Sequence, residues 1–374
     1  MNALERAWWR LDAGLAERAL LLPLAVPEWL FRAGAAARAL AYERGILSAA
    51  RAGAPVISIG NVAVGGAGKT PATLAVAARL RARGRRVAIL SRGYGARRTD
   101  ARVASDGRGR RLPAAEAGDE PALMAGRLPD VPVLCGPRRA ELAGRAVAGM
   151  GADALVLDDG FQHRALVRDL DVVVLDAANP FGNGHLLPRG PNREPRSALG
   201  RAGLLWLSHA DRARPEALDA LRTLAREATG RPPVESRHAV VDVLDGSLER
   251  SLGTAALRGQ RVLLLSGIAR PEGFRRTVEG LGAVIGEERA YADHHAFTPA
   301  ELDEALAAAG ASRCDAVVLT EKDSVRLPPE RVVEPRLRVV RIEAELTAGA
   351  GELEAALDRA VAAAPAAAAR EAAG

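Results

Sequence analysis

The sequence contains little cysteine, few aromatic residues and almost no lysine, and each shortage narrows the classes of protein that fit. Its two cysteines, Cys135 and Cys314, are too few for a disulfide framework or a cysteine-rich metal cluster, which favours a reducing compartment. Aromatic residues make up only 3% of the chain, and the arginines are spread along it without a basic tail. Because base stacking needs aromatic side chains beside basic ones, we expect no nucleic acid partner.

The start of the chain lacks a long apolar run. In the first 48 residues the longest uncharged stretch is Ala19–Pro27, nine residues, whereas a spanning helix needs about 20. Asp12, Glu17 and Arg18 interrupt the start, and no small-residue cleavage site follows an apolar core. The sequence therefore predicts neither a transmembrane helix nor a signal peptide.

These first 48 residues nevertheless differ in character from the rest, because they hold three of the four tryptophans. Apolar residues recur there at helical spacing, at Trp8, Leu11, Leu15, Ala19 and Leu22. An apolar face with tryptophans at its edge is typical of a helix lying in a membrane interface. A helix packed on the protein's own core shows the same spacing, so both alternatives stay open.

From Ala54 onward, short apolar runs alternate with helical stretches, which predicts βαβ units and a mostly parallel sheet. The predicted strands are Val56–Ile59, Val87–Leu90, Val131–Leu134, Ala154–Leu157, Val172–Leu175, Leu204–Leu207, His238–Val243, Val262–Leu265, Val284–Ile285, Ala316–Leu319 and Val339–Ile342. A polar break at Gly230–Pro233 divides the series. We therefore predict an α/β protein with four parts: an N-terminal amphipathic membrane-associating segment (1–48), a nucleotide-binding domain (49–232), a second, smaller α/β domain (233–350) and an alanine-rich C-terminal tail (351–374).

Only two of the 52 basic side chains are lysine, Lys69 and Lys322. The first predicted strand leads into a glycine-rich loop that contains one of them, Gly65-Gly66-Ala67-Gly68-Lys69-Thr70-Pro71. Such a loop cradles nucleotide phosphates with backbone N–H groups, a slender lysine ammonium and a hydroxyl that completes a Mg²⁺ shell. We expect ATP here, within a P-loop NTPase-like parallel sheet, although Ala63 replaces the glycine of the strict pattern. A glycine-rich turn that binds no ligand is the alternative.

A phosphate loop also needs an acidic partner for the metal at the end of a neighbouring strand. Asp158 and Asp159 follow the predicted strand Ala154–Leu157 and precede a glycine. The carboxyl ends of parallel strands meet at one edge, where open α/β sheets bind ligands. We predict that Thr70, Asp158 and Asp159 hold Mg²⁺, without deciding which aspartate contacts it; a salt-bridged surface turn is the alternative.

Several further motifs occur in a specific order over about residues 54 to 326. They are Ser58-Ile59-Gly60-Asn61, Ser91-Arg92-Gly93-Tyr94-Gly95, Gly118-Asp119-Glu120-Pro121, Asp158-Asp159-Gly160-Phe161-Gln162-His163, Asn183-Gly184, Leu187-Pro188-Arg189-Gly190-Pro191, Arg193-Glu194-Pro195, Ser266-Gly267-Ile268-Ala269, Asp293-His294-His295 and Thr320-Glu321-Lys322-Asp323. With the phosphate loop, this set resembles the tetraacyldisaccharide 4'-kinase family of Gram-negative bacteria.

The resemblance implies transfer of the ATP γ-phosphate to the 4'-hydroxyl of an acylated disaccharide 1-phosphate glycolipid, giving lipid IVA. It implies Asp119 as proton acceptor with His294 as its partner, and Lys69 with Mg²⁺ neutralising the transferring group. Asn61, Gln162, His163 and Arg193 are the implied substrate-binding residues. The implied location is the cytoplasmic face of the inner membrane, peripheral or monotopic, with no obligate protein partner.

The residues themselves leave several roles open. Asp119 could instead be the N-cap of a helix that starts near Pro121, and His163 could have a structural role. Arg193 could be a solvated charge. Lys322 could lie near the nucleotide or brace the interdomain contact with its neighbouring acids.

Two other functions fit part of the pattern. A P-loop regulatory or maturation ATPase that acts on a protein partner would use the same loop and acids. A soluble small-molecule kinase or ligase would leave the N-terminal tryptophan and leucine face unexplained.

Overall fold

The computed structural model describes residues 3–10, 14–93, 100–109 and 112–363. Leu11 of the predicted amphipathic face, the motif residues Tyr94 and Gly95, and the tail from residue 364 lie outside these ranges.

Within the described residues, twelve strands form one sheet, and all eleven predicted strands are present. The strands are β1 (Val56–Gly60), β2 (Val87–Ser91), β3 (Arg102–Asp106), β4 (Pro132–Cys135), β5 (Ala154–Asp158), β6 (Leu170–Asp176), β7 (Leu204–Ser208), β8 (Val234–Asp245), β9 (Arg261–Ser266), β10 (Val284–Ala290), β11 (Ala316–Thr320) and β12 (Leu337–Ala348). The α/β fold class predicted from the sequence is confirmed.

The α-helices lie between and around these strands. They are α1 (Ala3–Trp9), α2 (Leu15–Leu21), α3 (Ala25–Glu43), α4 (Lys69–Ala82), α5 (Ala114–Ala117), α6 (Asp119–Arg127), α7 (Arg139–Met150), α8 (Pro215–Thr229), α9 (Pro271–Gly280), α10 (Pro299–Ala311), α11 (Glu321–Ser324) and α12 (Ala350–Ala363).

The strand order is β10-β9-β11-β12-β8-β7-β6-β1-β5-β2-β4-β3. Pairing is parallel from β4 to β8 and again from β12 to β10, and β8 and β12 form a long antiparallel pair between these two blocks. β1, β2, β5 and β7 are buried along their whole length, as expected for parallel strands that helices cover on both faces. The carboxyl ends of β1, β5 and β6 therefore meet at one edge.

The strand that the sequence did not predict is β3, which pairs antiparallel with β4 at the outer edge. Its first and last residues, Arg102 and Asp106, are charged and only half-buried. An edge strand with this pattern lacks the apolar run that identifies a buried strand.

The sheet continues across the polar break at residues 230–233. β7 and β8 pair there through only two register positions, Trp206 with Val234 and Leu207 with Glu235. We call residues 49–232 the first half and residues 233–350 the second half. Their division into two domains remains a prediction, and the short β7–β8 pairing is the place where they join.

The last helix belongs to the core of the first half. Leu353, Ala356, Leu357 and Ala360 of α12 are buried in the same apolar cluster as strands β1 and β5. Residues 351–363 of the predicted alanine-rich tail thus return across the molecule to pack on the first half.

The predicted N-terminal amphipathic face is split in the structure. α1 ends at Trp9 and α2 begins at Leu15, so Trp8 does not share a continuous helix with Leu22. Trp8 packs on the protein: its Nε1 donates to the Pro188 carbonyl at 3.1 Å. The expectation of one helical face from Trp8 to Leu22 was wrong for this reason.

The segment from α2 through α3 instead exposes apolar side chains to solvent. Leu22, Val26, Trp29 and Leu30 are 65, 68, 65 and 59% exposed. By length and composition, the helical segment Ala19–Glu43 is also long and apolar enough to cross a membrane. The nine-residue uncharged run therefore does not by itself exclude a membrane-spanning helix, since the length and composition of this segment allow one.

The burial of α12 predicts the effect of two substitutions in it. Leu357→Ala should lower the free energy of unfolding by about 2–5 kcal/mol, because it leaves a cavity in the core of the first half. Arg359→Ala, at an exposed position of the same helix, should leave it within about 0.5 kcal/mol. Urea unfolding followed by circular dichroism measures both, and equal midpoints would show that α12 is not part of the core.

Candidate active site between the two halves

The glycine-rich loop follows β1, which lies between β5 and β6 and directs the loop to the carboxyl edge of the sheet. Gly68 has φ 79° and precedes α4 directly. A Cβ at Gly68 would lie 3.2 Å from His238 Nε2 and 3.2 Å from Ser208 Cβ, so this position suits glycine alone. The loop thus delivers backbone N–H groups and the N-terminus of α4 to one point, which is an arrangement that binds anions.

Contacts beneath the loop hold it in place. Ser208 at the end of β7 donates its hydroxyl to the Ala67 carbonyl at 2.8 Å. Gly65, with φ 93°, lies against the Trp9 ring, which a Cβ would approach to 3.2 Å. Pro71 is the third residue of α4, within the first turn, where a helix needs no intrahelical N–H.

Lys69 and Arg193 both contact the carboxylate of Asp159. Lys69 Nζ lies 3.4 Å from Asp159 Oδ1, and Arg193 Nη1 donates to Oδ1 at 2.9 Å and Oδ2 at 2.7 Å. Burial alone would raise the pKa of Asp159, but Lys69 and Arg193 outweigh it and hold the pKa below its ordinary value. The structure therefore brings together three residues that the sequence analysis assigned to metal, phosphate and substrate binding.

Asp158, the neighbouring acid, has an opposite environment. It is buried, and its partners are neutral hydroxyls: Thr73 donates to Oδ1 at 3.2 Å and Ser91 to Oδ2 at 2.9 Å. Burial, followed by the nearby carboxylates of Glu120 and Asp159, raises the pKa of Asp158 above its ordinary value. The two adjacent carboxylates are thus distinguished by their partners.

The hydroxyls around Asp158 were not predicted. Thr73 lies one helical turn after the predicted Thr70, and Ser91 ends β2. Ser91 could have been identified from the sequence, because it follows a buried strand and starts a glycine-containing motif. The i+3 spacing from Thr70 would have placed Thr73 on the same face of α4.

Asp119 and His294 meet across the two halves. Asp119 is the first residue of α6, after Gly118 with φ 92°, so it is not the N-cap. His294 Nδ1 lies 2.8 Å from Asp119 Oδ2, and Arg326 Nε lies 3.5 Å from the same oxygen. The adjacent His295 faces elsewhere and contacts Glu301 at 3.0 Å.

The far end of α6 also contacts the second half. Arg127, its last residue, donates to Glu321 Oε2 at 2.9 Å, and Arg341 donates to Glu321 Oε1 at 2.8 Å. Both ends of the helix that carries Asp119 are therefore attached to the second half.

A third contact between the halves lies on the other side of the loop. Arg270 Nη1 donates to Asp176 Oδ2 at 2.6 Å, and Asp176 ends strand β6. Burial would raise the pKa of Asp176, but His209 and Arg270 lower it to about 2. The phosphate loop thus lies between contacts to the second half.

The remaining predicted substrate residues brace neighbouring loops. Gln162 Nε2 donates to the Asn61 carbonyl and to Glu194 Oε1, each at 2.9 Å. The buried Asn61 side chain accepts the Ala63 N–H at 3.1 Å. In the described part of the chain, His163 Nε2 is buried without a hydrogen-bond partner, and burial, aided by Arg139, lowers the pKa of His163 to about 4. His163 is therefore neutral at pH 7.

The chain is similar to proteins of one enzyme family. Residues 18–362 match the model of the family described as "Tetraacyldisaccharide-1-P 4'-kinase". The tetraacyldisaccharide 4'-kinase of Anaeromyxobacter sp. (strain Fw109-5) is 68% identical over 362 residues, which cover 97% of each chain. That of Syntrophus aciditrophicus (strain SB) is 40% identical and covers 82% of this chain and 84% of its own. LpxK from Aquifex aeolicus, crystallised in complex with ATP, has a TM-score of 0.75 at 27% identity and covers 91% of this chain and 99% of its own.

The position of Lys69 predicts that a substitution which keeps its charge still impairs function. Its side chain is only 10% exposed, and a wider planar guanidinium cannot take the place of the ammonium beside Asp159. Lys69→Arg should lower ATP turnover by about 100-fold or more, measured by steady-state kinetics. Arg79→Lys, an opposite exchange at a structural ion pair of the same helix, should leave turnover within about twofold. Retention of turnover by Lys69→Arg would contradict the assignment.

Proposed function

The chain belongs to the tetraacyldisaccharide-1-P 4'-kinase family, and we propose that ATP and the acylated disaccharide react between the phosphate loop and the Asp119–His294 pair. The enzyme transfers the γ-phosphate of ATP to the 4'-hydroxyl of tetraacyldisaccharide 1-phosphate and forms lipid IVA in lipid A biosynthesis. The chain is therefore a kinase, and not the regulatory or maturation ATPase that the sequence left as an alternative.

The observation that carries the proposed site is the contact between Asp119 and His294. A sugar hydroxyl has a high pKa, so phosphoryl transfer to it needs a positioned base and cations around the phosphate. The contacts to Asp119 from His294 and Arg326 are both to Oδ2. We assign Oδ1 to the 4'-hydroxyl, whose proton it accepts as the oxygen attacks the γ-phosphorus.

We propose that the glycine-rich loop and the two cations beside it bind the nucleotide. The N–H groups of residues 65–68 and the N-terminus of α4 surround the phosphates, and Lys69 spreads the charge of the transferring group. Lys69 and Arg193 are both paired with Asp159. We propose that the phosphates compete with Asp159 for these cations when ATP binds.

Asp158 is the carboxylate that fits Mg²⁺ best. Its hydrogen-bond partners among the described residues are the neutral hydroxyls of Thr73 and Ser91, so no cation pairs directly with its oxygens there, whereas Lys69 and Arg193 already contact Asp159. Mg²⁺ prefers oxygen ligands and is commonly held by one or two carboxylates together with substrate phosphates. Asp158, with the Thr70 hydroxyl, would hold the ion, which would supply positive charge to the transferring phosphate.

The N-terminal helices fit a membrane surface, where the acylated substrate resides. α3 is attached to the body by the buried Glu28, whose Oε1 accepts the Leu186 N–H at 3.0 Å. The apolar residues Leu22, Val26, Trp29 and Leu30 remain exposed. We propose that this face enters the cytoplasmic leaflet of the inner membrane as a peripheral or monotopic anchor.

The proposed base predicts a specific kinetic defect. With tetraacyldisaccharide 1-phosphate, ATP and Mg²⁺, Asp119→Asn should lower kcat by about 100-fold or more and change the KM for ATP little. His294→Ala should lower kcat in the same direction, and chelation of Mg²⁺ should abolish turnover of the unmodified enzyme. Near-normal turnover of both variants would remove the pair from the mechanism.

The exposed face of α3 predicts a loss of membrane binding without a loss of fold. The triple variant Val26→Ser, Trp29→Gln, Leu30→Ser should bind phospholipid vesicles at least about tenfold more weakly, because each apolar side chain contributes about 1.5–3 kcal/mol when buried. A matched triple variant at the exposed positions Val241, Val284 and Val333, each changed to serine, should bind as before. Co-sedimentation with vesicles measures both, and equal binding would place the anchor elsewhere.

A further inference from the structure

Helix α1 contacts the phosphate loop, although it precedes the segment that matches the family model. Its last turn is attached to the loop that follows β6. The Trp8 carbonyl accepts the Asn183 N–H at 2.7 Å, and the Trp9 carbonyl accepts from Asn179 Nδ2 at 2.8 Å. Together with the bond from Trp8 Nε1 to the Pro188 carbonyl, these hydrogen bonds fix the end of α1 on the body of the protein.

The loop that receives α1 is shaped for this helix. Gly182 has φ 55°, and a Cβ there would overlap the Trp8 carbonyl oxygen, so a glycine lets α1 approach this closely. Asn179 binds both partners, because its Oδ1 accepts the Gly182 N–H at 3.0 Å while its Nδ2 donates to Trp9. Ala7, in the last turn of α1, is fully buried. The docking of α1 is therefore specific.

The Trp9 ring extends from this attachment to the phosphate loop. Gly65 has φ 93°, and a Cβ there would lie 3.2 Å from Cζ2 of Trp9, so the ring packs on the loop backbone. From the second half, the Arg270 guanidinium lies 5.7 Å from the centroid of the Trp9 ring, and its bond to Asp176 holds it there. Trp9 therefore lies where the phosphate loop, the loop after β6 and the second half come together.

A contact at Gly65 affects nucleotide binding because glycine residues give a loop many accessible backbone conformations. The loop binds phosphates with its N–H groups only in the conformation that directs these groups to one place. A contact that holds this conformation before ATP arrives reduces the entropy lost on binding, which raises the affinity. Ser208 provides such a contact at Ala67, and Trp9 provides the corresponding contact at Gly65.

We propose that α1 braces the phosphate loop and that Trp9 is a positioning residue for ATP, acting through Gly65. The inference rests on the proposed function, in which this loop binds the nucleotide. It gives the two parts of the N-terminal segment different tasks. Trp9 on α1 acts on ATP affinity, whereas the exposed residues of α3 act on membrane binding.

Steady-state kinetics of the full-length enzyme in detergent micelles test the role of Trp9. Trp9→Ala should raise the KM for ATP by about 10-fold, because the nucleotide must then order the loop, and leave kcat and the KM for the acylated acceptor within about twofold. Trp9→Phe keeps a flat apolar ring and should recover part of the ATP affinity. Trp29→Ala is the matched control on the exposed face of α3 and should leave the KM for ATP within about twofold.

Hydrogen–deuterium exchange measures the brace without turnover. In the ATP-free enzyme, Trp9→Ala should speed exchange of the loop amides of residues 61–68 by at least about threefold, since local opening becomes easier. Saturating ATP should protect these amides equally in both enzymes, because the bound phosphates then hold the loop. Amides of the buried strand β5 should exchange as in the unmodified enzyme. Faster exchange in β5 as well would indicate general destabilisation and overturn the inference.

The outcomes separate this inference from the proposed function. If Lys69→Arg keeps normal turnover, the assignment of this loop to ATP is wrong, and the proposed site with it. If Lys69→Arg is impaired but Trp9→Ala matches the unmodified enzyme in KM for ATP and in loop exchange, only the brace is wrong. A Trp9→Ala variant that loses vesicle binding with an unchanged KM for ATP would assign α1 to the membrane and equally overturn the inference.

Discussion

The hydrogen bond between Asp119 and His294 is the interaction on which the rest of the site depends, because it joins residues from the two halves of one sheet. Helix α6 carries Asp119 at its first residue and Arg127 at its last, and both contact the second half. Glu321, which holds Arg127, begins the short helix that also carries Lys322. A displacement of the second half relative to the first would therefore change the contact between Asp119 and His294.

Beside the phosphate loop, two adjacent carboxylates have different partners. Asp159 is held ionised by Lys69 and Arg193, whereas Asp158 is buried among hydroxyls. Two like charges one residue apart repel each other, so cations on one of them reduce the electrostatic cost of burying both. The arrangement fits the proposal that Asp158 binds a metal ion while Asp159 holds the two cations.

The N-terminal residues combine two kinds of packing. Trp8 and Trp9 contact the body beside the phosphate loop, while α3 exposes its apolar residues and is tied down through Glu28. The helix proposed to enter the membrane thus lies in the same N-terminal segment as Trp9, which contacts the glycine-rich loop. The packing alternative therefore holds for Trp8 on α1, whereas α3, which lies beyond that spacing, exposes apolar residues whose contact with a membrane remains a proposal.

The sequence by itself determined the features that local chemistry decides. A buried parallel strand needs an apolar run, a phosphate loop needs glycines and one slender cation, and both are visible in consecutive residues. The eleven predicted strands, the loop at residues 65–71 and the family resemblance all follow from such signals. The edge strand β3 was not predicted because three of its five residues are only partly buried, so it lacks an apolar run.

Only the tertiary structure decided which partner each charged group has. The pairing of Arg193 with Asp159, the hydroxyls on Asp158 and the return of α12 to the first half all join residues distant in the chain. The same holds for Lys322, which the scarcity of lysine marked in the sequence but whose contacts with Asp293 and His294 only the structure shows. Side-chain partners depend on how elements pack in three dimensions, and spacing along the chain does not contain that information.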